Sequence, residues 1–571
     1  MHRLKRYVWC AFLLLVLTFV KFQYTGQSFT QTARAQGADL HGKDWEPIIV
    51  ADVNQTKLLL RVGGHDYSNL TDGIYMDADR KLMIPVDLLR EAFDCGAHLY
   101  EEHLLVVEHK EDVLKLEYGK DYYIRNEEKV KYSQPLVQKH GKLYVPLELL
   151  AEELSYSCQW DVEQNMMTAY HGEDDAAHLP QRYDLREKGR APKVRDQGPY
   201  GTCWAFASLT ALESALLPET GLELSVDHMN QNNSFTSSIE DGGQYVMAMA
   251  YLAAWQGPVL EEDDPYGDGE TDASLNAVRH VQEMEIIEAK NLDAIKKAVF
   301  QYGGVESCIY TTMQDMDGES PYYNREAYAY CYPGTEKPNH DVVIIGWDDA
   351  FPQEYFQEGA LRDGAFICQN SWGTDFGEQG VFYVSYSDTN IGMHNLVFTK
   401  VEDSSNYNRL YQSDLCGWVG QMGYQRESMY GANVFTAQEE EDIAAAGFYT
   451  TGKNTDYKVY LVPDFTDTGS FDDRMLVSEG RFENAGYHTV RFDQCIRVAA
   501  GSRFAVVIWL STPGALRPMA IEYAADELTQ EVDLKDGEGY VSAQGRQWAD
   551  VETTSGCNLC IKAYARSVRQ P

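Results

Sequence analysis

The sequence predicts an α+β protein built from several domains: a central two-lobed domain, a small duplicated α+β module before it and an all-β sandwich after it. With 571 residues, the chain is longer than one hydrophobic core organises. The central region is rich in helical periodicity until about residue 285 and in strand-like runs thereafter. From about residue 405, short alternating strands separated by turn residues predict the sandwich.

Composition and charge narrow the possible functions. Hydrophobic residues make up 44% of the chain and charged residues 24%, which is ordinary for a globular protein. The formal net charge is −40, whereas nucleic-acid binding requires Lys and Arg to neutralise phosphates. The sequence therefore argues against nucleic acid as a partner and suits a surface or secreted protein.

The first 35 residues carry the pattern of an export signal. A basic segment, residues 2–6, precedes fourteen mainly apolar residues, 7–20, a length typical of signal peptides and short for a membrane span. Ala33, Arg34 and Ala35 offer a small-x-small cleavage site, further from the apolar segment than usual. We expect residues 1–35 to be a signal peptide or signal anchor, and the protein to be extracellular, either secreted or anchored at the cell surface.

Residues 46–171 contain an internal repeat. The segment Lys81–Phe93 matches Lys142–Leu154 with a period of 61 residues, and alternating strands such as 104–108 and 166–170 follow. Each unit reads as a short strand, a proline and a helix. The pattern resembles the copper amine oxidase N-terminal-like module. No cluster of metal ligands accompanies it in the sequence, so we interpret the repeats as a spacer or binding unit.

The most informative segment is Gln197–Trp204 (Q-G-P-Y-G-T-C-W). Cys203 precedes apolar residues at helical spacing, including Leu209 and Leu212, so we expect it to open a buried helix. The positive end of the helix dipole lowers the pKa of a thiol at this position and populates the thiolate. The Gln197 amide can point at an oxygen that becomes negative when sulfur attacks a carbonyl. These residue types predict a thiol-dependent acyl-transfer site.

Two downstream residues complete such a site. His340 precedes the apolar run Val342–Ile345, which predicts a buried strand that holds an imidazole rigidly. Asn370 also follows a strand-like run, and its carbonyl oxygen can accept one ring N–H of His340 and fix the tautomer. Trp372 is placed to cover that hydrogen bond and keep water from it.

Together these motifs resemble papain-family cysteine peptidases over residues 179–400. His340 follows Cys203 by 137 residues and Asn370 follows 30 residues later, in the order and spacing of that family. The resemblance implies two lobes with the active cleft between them. It also implies four catalytic roles: Cys203 as the nucleophile, His340 as the general base and acid, Asn370 as the residue that orients it, and Gln197 as an oxyanion donor.

The same resemblance assigns the substrate-binding residues. Gly242 and Gly243 resemble the glycine pair that presents backbone to a substrate strand, and we expect them and Trp372 to bind substrate. Two positions depart from the family pattern. Tyr200 replaces a disulfide-forming cysteine, and the residue after the histidine is Asp341 instead of a small residue. A carboxylate at that position can change the pH profile.

The helical inhibitory propeptide of the family is not evident. The repeats occupy its position instead, and the polar segment His171–His178 predicts an exposed linker that is open to proteolysis. We therefore expect the repeats to regulate or tether the peptidase without contributing to its chemistry.

The region 405–566 predicts an all-β sandwich, with strands at Tyr457–Val462, His488–Phe492 and Phe504–Leu510. The stretch 444–462 (A-A-A-G-F-Y-T-T-G-K-N-T-D-Y-K-V-Y-L-V) resembles the lectin-like domain that follows papain-like peptidase domains in some prokaryotic proteins. Cell-surface carbohydrate as a partner is an expectation that follows from the name of that domain alone.

The remaining aromatic and cysteine residues give weak signals. Trp418, Trp509 and Trp548 could stack on sugars, but core packing is the better interpretation. Eleven cysteines in 571 residues do not make a disulfide-dense scaffold, and Cys557 with Cys560 lacks a second ligand pair. We predict no metal site and no cofactor.

The leading functional prediction is an exported cysteine endopeptidase that hydrolyses peptide or protein substrates through a thioester acyl-enzyme. One alternative is a cell-surface adhesion or scaffold protein with a catalytically idle papain fold; the presence of all four catalytic residues argues against it. Another is a papain-fold amidase or acyltransferase, because the fold and the catalytic residues fix the chemistry but not the acyl acceptor.

Overall fold

In the computed structural model of the protein, the described residues run from 59 to 568, with gaps at 63–64, 68–72, 78–80, 94, 102, 110–111, 155, 162–165, 172–178 and 312–319. The predicted export signal and nearly all of the predicted linker lie outside the described residues. Within the described ranges, no helix combines the length and the apolar character that a bilayer span requires.

The N-terminal module consists of three small sheets and two short helices. Its elements are β1 (Leu59–Val62), β2 (His65–Asp66), β3 (Tyr75–Met76), β4 (Leu82–Pro85), α1 (Leu89–Ala92), β5 (Gly96–Tyr100), β6 (Leu104–His109), β7 (Asp112–Glu117), β8 (Tyr122–Arg125), β9 (Glu128–Lys131), β10 (Val137–Lys139), β11 (Lys142–Pro146), α2 (Leu147–Glu153), β12 (Tyr156–Asp161) and β13 (Met166–His171). The strand orders are β12-β13-β1-β2, β10-β11-β4-β3 and β5-β6-β7-β8-β9. The module therefore has the small α+β construction that the repeat predicts.

The two repeats meet strand to strand. β4 and β11 pair antiparallel, with Ile84 opposite Val145. These two residues are 61 positions apart in the sequence, which is the repeat period, so each strand pairs with its own duplicate. In each repeat a proline, Pro85 or Pro146, is the residue at which the chain turns from the strand into a helix. Because buried side chains from both repeats fill one cluster, the duplication builds a single shared core.

The central domain has a helical lobe followed by a sheet lobe. Its elements are β14 (Arg182–Asp184), α3 (Cys203–Leu216), α4 (Val226–Gln231), α5 (Tyr245–Ala253), β15 (Arg279–Ile286), α6 (Leu292–Gln301), β16 (Val305–Ile309), β17 (Tyr323–Asn324), β18 (Ala329–Tyr330), β19 (His340–Asp348), β20 (Ala365–Gln369), β21 (Val381–Ser385) and β22 (Leu396–Asp403). Eleven of the fourteen residues of α3 are buried, because this apolar helix is surrounded by protein on most sides. The predicted buried helix at Cys203 is confirmed.

Rigid elements carry the two predicted reacting side chains. Cys203 is the first residue of α3, and His340 is the first residue of β19. β19 lies inside the sheet, hydrogen-bonded to β16 on one side and to β20 on the other. The strand predicted at Val342–Ile345 is therefore the middle of a longer, buried strand.

The C-terminal domain is a sandwich of two sheets. Its elements are β23 (Arg409–Tyr411), β24 (Gly420–Met422), β25 (Ser428–Thr436), β26 (Glu441–Thr450), β27 (Thr455–Val462), β28 (Met475–Phe482), β29 (Ala485–Val498), β30 (Arg503–Ser511), β31 (Met519–Glu522), β32 (Gly539–Ser542), β33 (Ala549–Asp550), α7 (Val551–Ser555), β34 (Asn558–Leu559) and β35 (Ile561–Ser567). One sheet has the order β28-β27-β30-β25-β32-β33. Its inner residues, such as Val459 and Ile508, pack against Phe448 and Ile561 of the other sheet. The predicted all-β sandwich is confirmed.

The second sheet of the sandwich continues into the peptidase-like domain. β15 pairs antiparallel with β22 on one side and with β29 on the other, so that one sheet of sixteen strands crosses from the central domain into the sandwich. At the junction Gly486 has a φ of +146°, and a Cβ there would lie 2.0 Å from the Met284 carbonyl oxygen. Glycine permits this close approach. Sequence patterns do not predict the pairing, because it joins strands about 200 residues apart.

Buried polar contacts fix the N-terminal module to the central domain. The Glu108 carboxylate accepts hydrogen bonds from Lys188 Nζ at 2.6 Å and from the Tyr183 hydroxyl at 3.1 Å. Arg190 is fully buried, and its guanidinium lies 2.9 Å from His98 Nε2. None of these residues is one of the predicted catalytic or substrate-binding residues. The contacts therefore attach the module to the central domain at residues outside the predicted catalytic set.

We expect Glu108→Ala to loosen this attachment. The change leaves the half-buried Lys188 ammonium and the buried Tyr183 hydroxyl without their acceptor, which should lower the free energy of unfolding by about 2–3 kcal/mol. Urea unfolding of the full chain measures the loss. The control is Glu117→Ala: Glu117 pairs with Lys120 at 3.3 Å and both side chains are 40% exposed, so the cost should stay below about 0.5 kcal/mol. Equal losses in the two variants would contradict the assignment of Glu108 to the attachment.

Candidate active site

Three of the predicted catalytic side chains belong to one hydrogen-bonded chain. The ring of the buried His340 places Nε2 2.7 Å from Asn370 Oδ1. Asn370 is buried at the end of β20. On the other side of Asn370, the Ser371 hydroxyl donates to Gln197 Oε1 at 2.6 Å. Residues that are 174 positions apart in the sequence, Gln197 and Ser371, are thus in direct contact.

A second hydrogen bond fixes which nitrogen of His340 carries the proton. The backbone N–H of Ser371 donates to Asn370 Oδ1 at 2.8 Å. A backbone N–H can only donate, so the amide atom facing both partners is the oxygen. His340 Nε2 must then be the protonated nitrogen, and Nδ1 is left as the basic one. The geometry matches the orienting contact that the sequence predicts for Asn370.

The Gln197 side chain is held at both ends. Its Oε1 accepts from Ser371, and its Nε2 donates to the Tyr200 carbonyl at 2.8 Å. The amide nitrogen carries two protons, so one remains for another acceptor. This is the arrangement an oxyanion donor needs, because its amide is oriented before the reaction begins.

Ser371 is the functional residue that sequence reasoning overlooked. It lies inside the Asn-Ser-Trp-Gly motif, but a serine in a polar turn gives no separate signal. Its backbone N–H binds Asn370 and its hydroxyl binds Gln197. Ser371 therefore links the orientation of His340, through Asn370, to the orientation of the Gln197 side-chain amide.

The N-terminus of α3 has no side-chain cap at Cys203. Thr202 precedes the helix and makes no side-chain capping bond. The Thr202 hydroxyl lies 2.8 Å from the Tyr266 hydroxyl. The Tyr266 hydroxyl in turn donates to the backbone carbonyl of Gln197 at 2.9 Å. As the first helical residue, Cys203 has an N–H without an intrahelical acceptor. That N–H is available as a second donor to a developing oxyanion.

Desolvation favours the neutral forms of the thiol and the imidazole. Burial, followed by the charge of Asp341, raises the pKa of Cys203 to about 12. Burial lowers the pKa of His340 to about 4, although its hydrogen bond to Asn370 works in the opposite direction. Burial therefore opposes the effect of the helix N-terminus, and a populated thiolate stays a prediction. The backbone N–H of Trp204 does lower the pKa of the thiol, as a helix N-terminus should, but burial outweighs it.

The glycine pair is required by packing. A Cβ on Gly243 would lie 2.4 Å from the Trp204 indole, and Gly242 has a φ of +74°. The backbone of Gly242 also passes so close to Gly201 that a Cβ on Gly201 would lie 2.6 Å from the Gly242 nitrogen. These contacts explain the glycines without a substrate. Their binding of a substrate strand stays a prediction.

Trp372 lies where the sequence places it. Its ring centroid is 4.8 Å from that of His340 and 5.0 Å from that of Phe376. The indole therefore packs beside the imidazole and limits the access of water to the ring that contacts Asn370. A role of Trp372 in substrate binding stays a prediction.

Two of the tryptophans considered for sugar stacking pack against other aromatic rings. Trp418 lies 6.2 Å from Tyr449 and Trp548 lies 4.3 Å from Phe471, ring centroid to ring centroid, which favours packing roles. Cys557 and Cys560 are buried, free thiols. Across the described residues, no group of three or more His, Cys, Asp or Glu side chains is arranged to hold a metal ion.

Three family models match successive parts of the chain. The copper amine oxidase N-terminal domain matches residues 32–169, the papain family cysteine protease matches residues 179–401, and the lectin-like domain matches residues 410–565. Similar characterised proteins include cathepsin K of Mus musculus, 25% identical over 263 residues, which cover 45% of this chain and 71% of the relative. Cathepsin K of Gallus gallus is 31% identical over 217 residues, 36% of this chain and 59% of the relative.

Solved structures match both the central and the C-terminal parts of the fold. The clostridial cysteine protease Cwp84 after propeptide cleavage has a TM-score of 0.61 at 24% identity, covering 68% of this chain and 99% of that chain. The cysteine protease and lectin-like domains of Cwp84, a surface layer associated protein of Clostridium difficile, give a TM-score of 0.59 at 23% identity, covering 68% and 89%. Residues 179–401 thus match the papain family cysteine protease model, and the chain shares the fold of the Cwp84 protease and lectin-like domains. Its peptidase and lectin-like domains follow each other as in Cwp84, behind a segment that matches a copper amine oxidase N-terminal domain.

The Asn370 contact yields a prediction about pH dependence. Asn370→Asp places a carboxylate beside His340 Nε2, which stabilises the imidazolium and raises the pKa of His340 above its value of about 4. If His340 must be neutral to accept the thiol proton, the acid limb of kcat/KM should move to higher pH. Asn370→Ala should lower the rate without that upward movement. An acid limb that stays in place in Asn370→Asp would show that another group controls it.

Proposed function

We propose that this protein is an exported cysteine endopeptidase that hydrolyses peptide bonds through a thioester acyl-enzyme. The observation that carries the proposal is the hydrogen-bonded chain from His340 through Asn370 and Ser371 to Gln197. It orients a general base and an oxyanion donor together, beside a cysteine at a helix N-terminus. A scaffold protein with an idle fold has no need of this arrangement.

Acylation begins from the neutral pair. The Cys203 thiol gives its proton to His340 Nδ1 while sulfur attacks the scissile carbonyl carbon. The carbonyl oxygen becomes negative and is held by the free Nε2 proton of Gln197 and the N–H of Cys203. When the carbonyl re-forms, the C–N bond breaks, and the imidazolium of His340 protonates the departing amine.

Deacylation reverses the proton movements. A water molecule gives a proton to His340 Nδ1 and attacks the thioester carbonyl, and the oxygen is stabilised by the same two donors. The C–S bond then breaks and sulfur recovers the proton from His340. Asn370 holds the Nε2 proton in place throughout, so that only Nδ1 exchanges protons with the reactants.

The proposal includes export of the protein. The basic segment 2–6 and the apolar segment 7–20 have the lengths of a signal peptide. The similar structure of Cwp84 belongs to a surface layer associated protein. We propose an extracellular location, secreted or at the cell surface, with peptides or proteins as substrates. Cell-surface carbohydrate is a further candidate partner of the C-terminal domain, suggested by the lectin-like family match.

Cys203→Ala should abolish turnover, lowering it by more than about 10³-fold, because no other group provides the attacking sulfur. The thermal midpoint should stay close to that of the unsubstituted protein, since only one sulfur is removed. The matched control is Cys495→Ala, which changes an exposed thiol of the C-terminal domain. The control should retain both peptide cleavage and labelling by an epoxide-type thiol-peptidase probe.

The outcomes separate the alternative functions. If the Cys203→Ala variant cleaved peptides as fast as the unsubstituted protein, catalysis would not take place at this site. Labelling of Cys203 without cleavage of any peptide, but with turnover of non-peptide amides, would favour the amidase or acyltransferase. Neither labelling nor turnover in the folded protein would favour the idle scaffold.

Gln197→Ala should lower kcat by about 10²- to 10³-fold, the effect of removing one oxyanion donor. KM should change much less, because the hydrogen bond strengthens mainly as the carbonyl oxygen gains charge. Steady-state kinetics on one fluorogenic peptide give both values. A large rise in KM at constant kcat would instead make Gln197 a residue for ground-state binding.

A further inference from the structure

Two carboxylates lie on neighbouring strands beside the nucleophile. On β16 and β19, Cys308 is opposite Asp341 and Glu306 is opposite Val343. Alternate residues of a strand share a face, and opposite residues of paired strands share that face too. Glu306, Cys308 and Asp341 therefore project from one side of the sheet.

That side of the sheet faces α3 and its nucleophile. The Ser208 hydroxyl of α3 donates to Glu306 Oε2 at 2.6 Å. The charge of Asp341 and, more weakly, that of Glu306 raise the pKa of Cys203, while the backbone of Asp341 hydrogen-bonds to the thiol. The two carboxyl groups thus lie next to the reacting sulfur.

One carboxylate oxygen in this pair has no partner. Glu306 is 3% exposed, and its Oε1 is buried without a hydrogen bond. In the described part of the chain, neither Glu306 nor Asp341 forms an ion pair with a Lys, Arg or His. The nearby Lys290 donates its ammonium protons to the backbone carbonyls of Asp388 and Ile391 instead. A buried acceptor beside a cleft, with no cation assigned to it, is an incomplete polar site.

Solvent reaches the carboxyl pair at Asp341, next to two aromatic side chains. Asp341 is partly exposed, as is Tyr245. The rings of Tyr245 and His394 are 5.7 Å apart, centroid to centroid. Burial and, after it, the charges of Glu306 and Asp341 raise the pKa of the Tyr245 phenol. The backbone of His394 hydrogen-bonds to the Cys308 thiol. Tyr245 also follows Gly243 by two residues, so the carboxyl pair lies near the glycines that are predicted to bind a substrate strand.

We propose that Asp341 and Glu306 select a positively charged side chain, lysine or arginine, on the acyl side of the bond that is cleaved. The proposal rests on the proposed peptidase function and names its substrate class. A guanidinium or ammonium that reaches the partly exposed Asp341 carboxylate beside Tyr245 pairs with it and can donate to the open Oε1 of Glu306. A neutral side chain would bury the same acceptor without satisfying it.

The global charge acts in the same direction. The chain has a formal net charge of −40, so it attracts cationic substrates over distances longer than a contact. Global attraction alone does not distinguish positions within a peptide. A preference for a cation at one position would therefore report the local pair and not the net charge.

The selectivity should depend on pH. Burial raises the pKa of Asp341 to about 7 and holds the pKa of Glu306 well above its usual range. The nearby cations, Lys290 and Arg195, are held by backbone carbonyls and by Glu213, respectively, and burial favours the neutral forms of five other titratable groups. They are His340 and His394, whose pKa values are lowered by burial, and Cys203, Tyr245 and Cys308, whose pKa values are raised to about 12 by burial. Ionisation of Asp341 should therefore increase the preference for a cation as pH rises through 7.

The test uses the full chain and fluorogenic peptides. Arg, Lys, Gln, Leu or Glu is placed in turn at each of the three positions before the cleaved bond, and kcat/KM is measured at pH 6 and pH 8. The unsubstituted protein should prefer Arg over Gln by at least about tenfold at one position, more at pH 8 than at pH 6. Titration with the epoxide-type probe counts the competent active sites in every preparation.

Variants locate the preference. Asp341→Asn should reduce the Arg-to-Gln ratio to below about threefold and remove its pH dependence, and Glu306→Gln should reduce the ratio in part. The control is Asp472→Asn, which changes the net charge equally at an exposed residue of the C-terminal domain. It should keep the ratio of the unsubstituted protein.

Each result decides one proposal. Cleavage without a preference for Arg or Lys at any position overturns the selectivity and leaves the peptidase intact. A preference that survives both Asp341→Asn and Glu306→Gln also overturns it, because the carboxyl pair is then structural. Absence of cleavage of every peptide by titrated, folded protein counts against the peptidase function itself.

Discussion

The carbonyl oxygen of Asn370 is the acceptor on which the rest of the site depends. It receives the Nε2 proton of His340 and the backbone proton of Ser371, both at hydrogen-bonding distance. The second bond orients the amide, and the oriented amide selects the histidine tautomer. Because the Ser371 hydroxyl also holds Gln197, a single turn after β20 orients both His340 and Gln197. Cys203, the proposed nucleophile, is fixed separately, as the first residue of a buried helix.

Burial sets the electrostatic character of this site. It disfavours the charged forms of Cys203 and His340, and the adjacent carboxyl group of Asp341 reinforces the effect at the thiol. In the proposed mechanism, charge develops as sulfur attacks, and the Gln197 amide, oriented by Ser371 and Tyr200, and the N-terminus of α3 are the donors to the carbonyl oxygen. Stabilisation that appears mainly in the transition state raises the rate more than stabilisation of the resting enzyme. Asp341 and Glu306 also disfavour the charged form of the thiol. A bound cation would offset their charge and so reduce this effect.

The secondary-structure elements with strong local sequence signals were predicted correctly. The helix at Cys203, the strand after His340 and the repeat around Ile84 and Val145 follow from periodicity and from proline placement. Three features of the structure could not be predicted from the sequence. The link through Ser371 depends on a side-chain rotamer, the pairing of β15 with β29 joins distant segments, and the high pKa of Cys203 depends on tertiary burial. Helix position alone predicted the opposite shift, because a dipole at the surface acts without the desolvation that a buried thiol experiences.

The shared sheet constrains how the domains can act on one another. β15 pairs with the peptidase strand β22 and with the sandwich strand β29, so separating the two domains requires breaking a ladder of backbone hydrogen bonds. The N-terminal module is attached differently, through side-chain contacts at Glu108 and Arg190. A side-chain interface opens at lower cost than a sheet ladder. Regulation by domain movement is therefore expected at the module, whereas the sandwich travels with the cleft as one body.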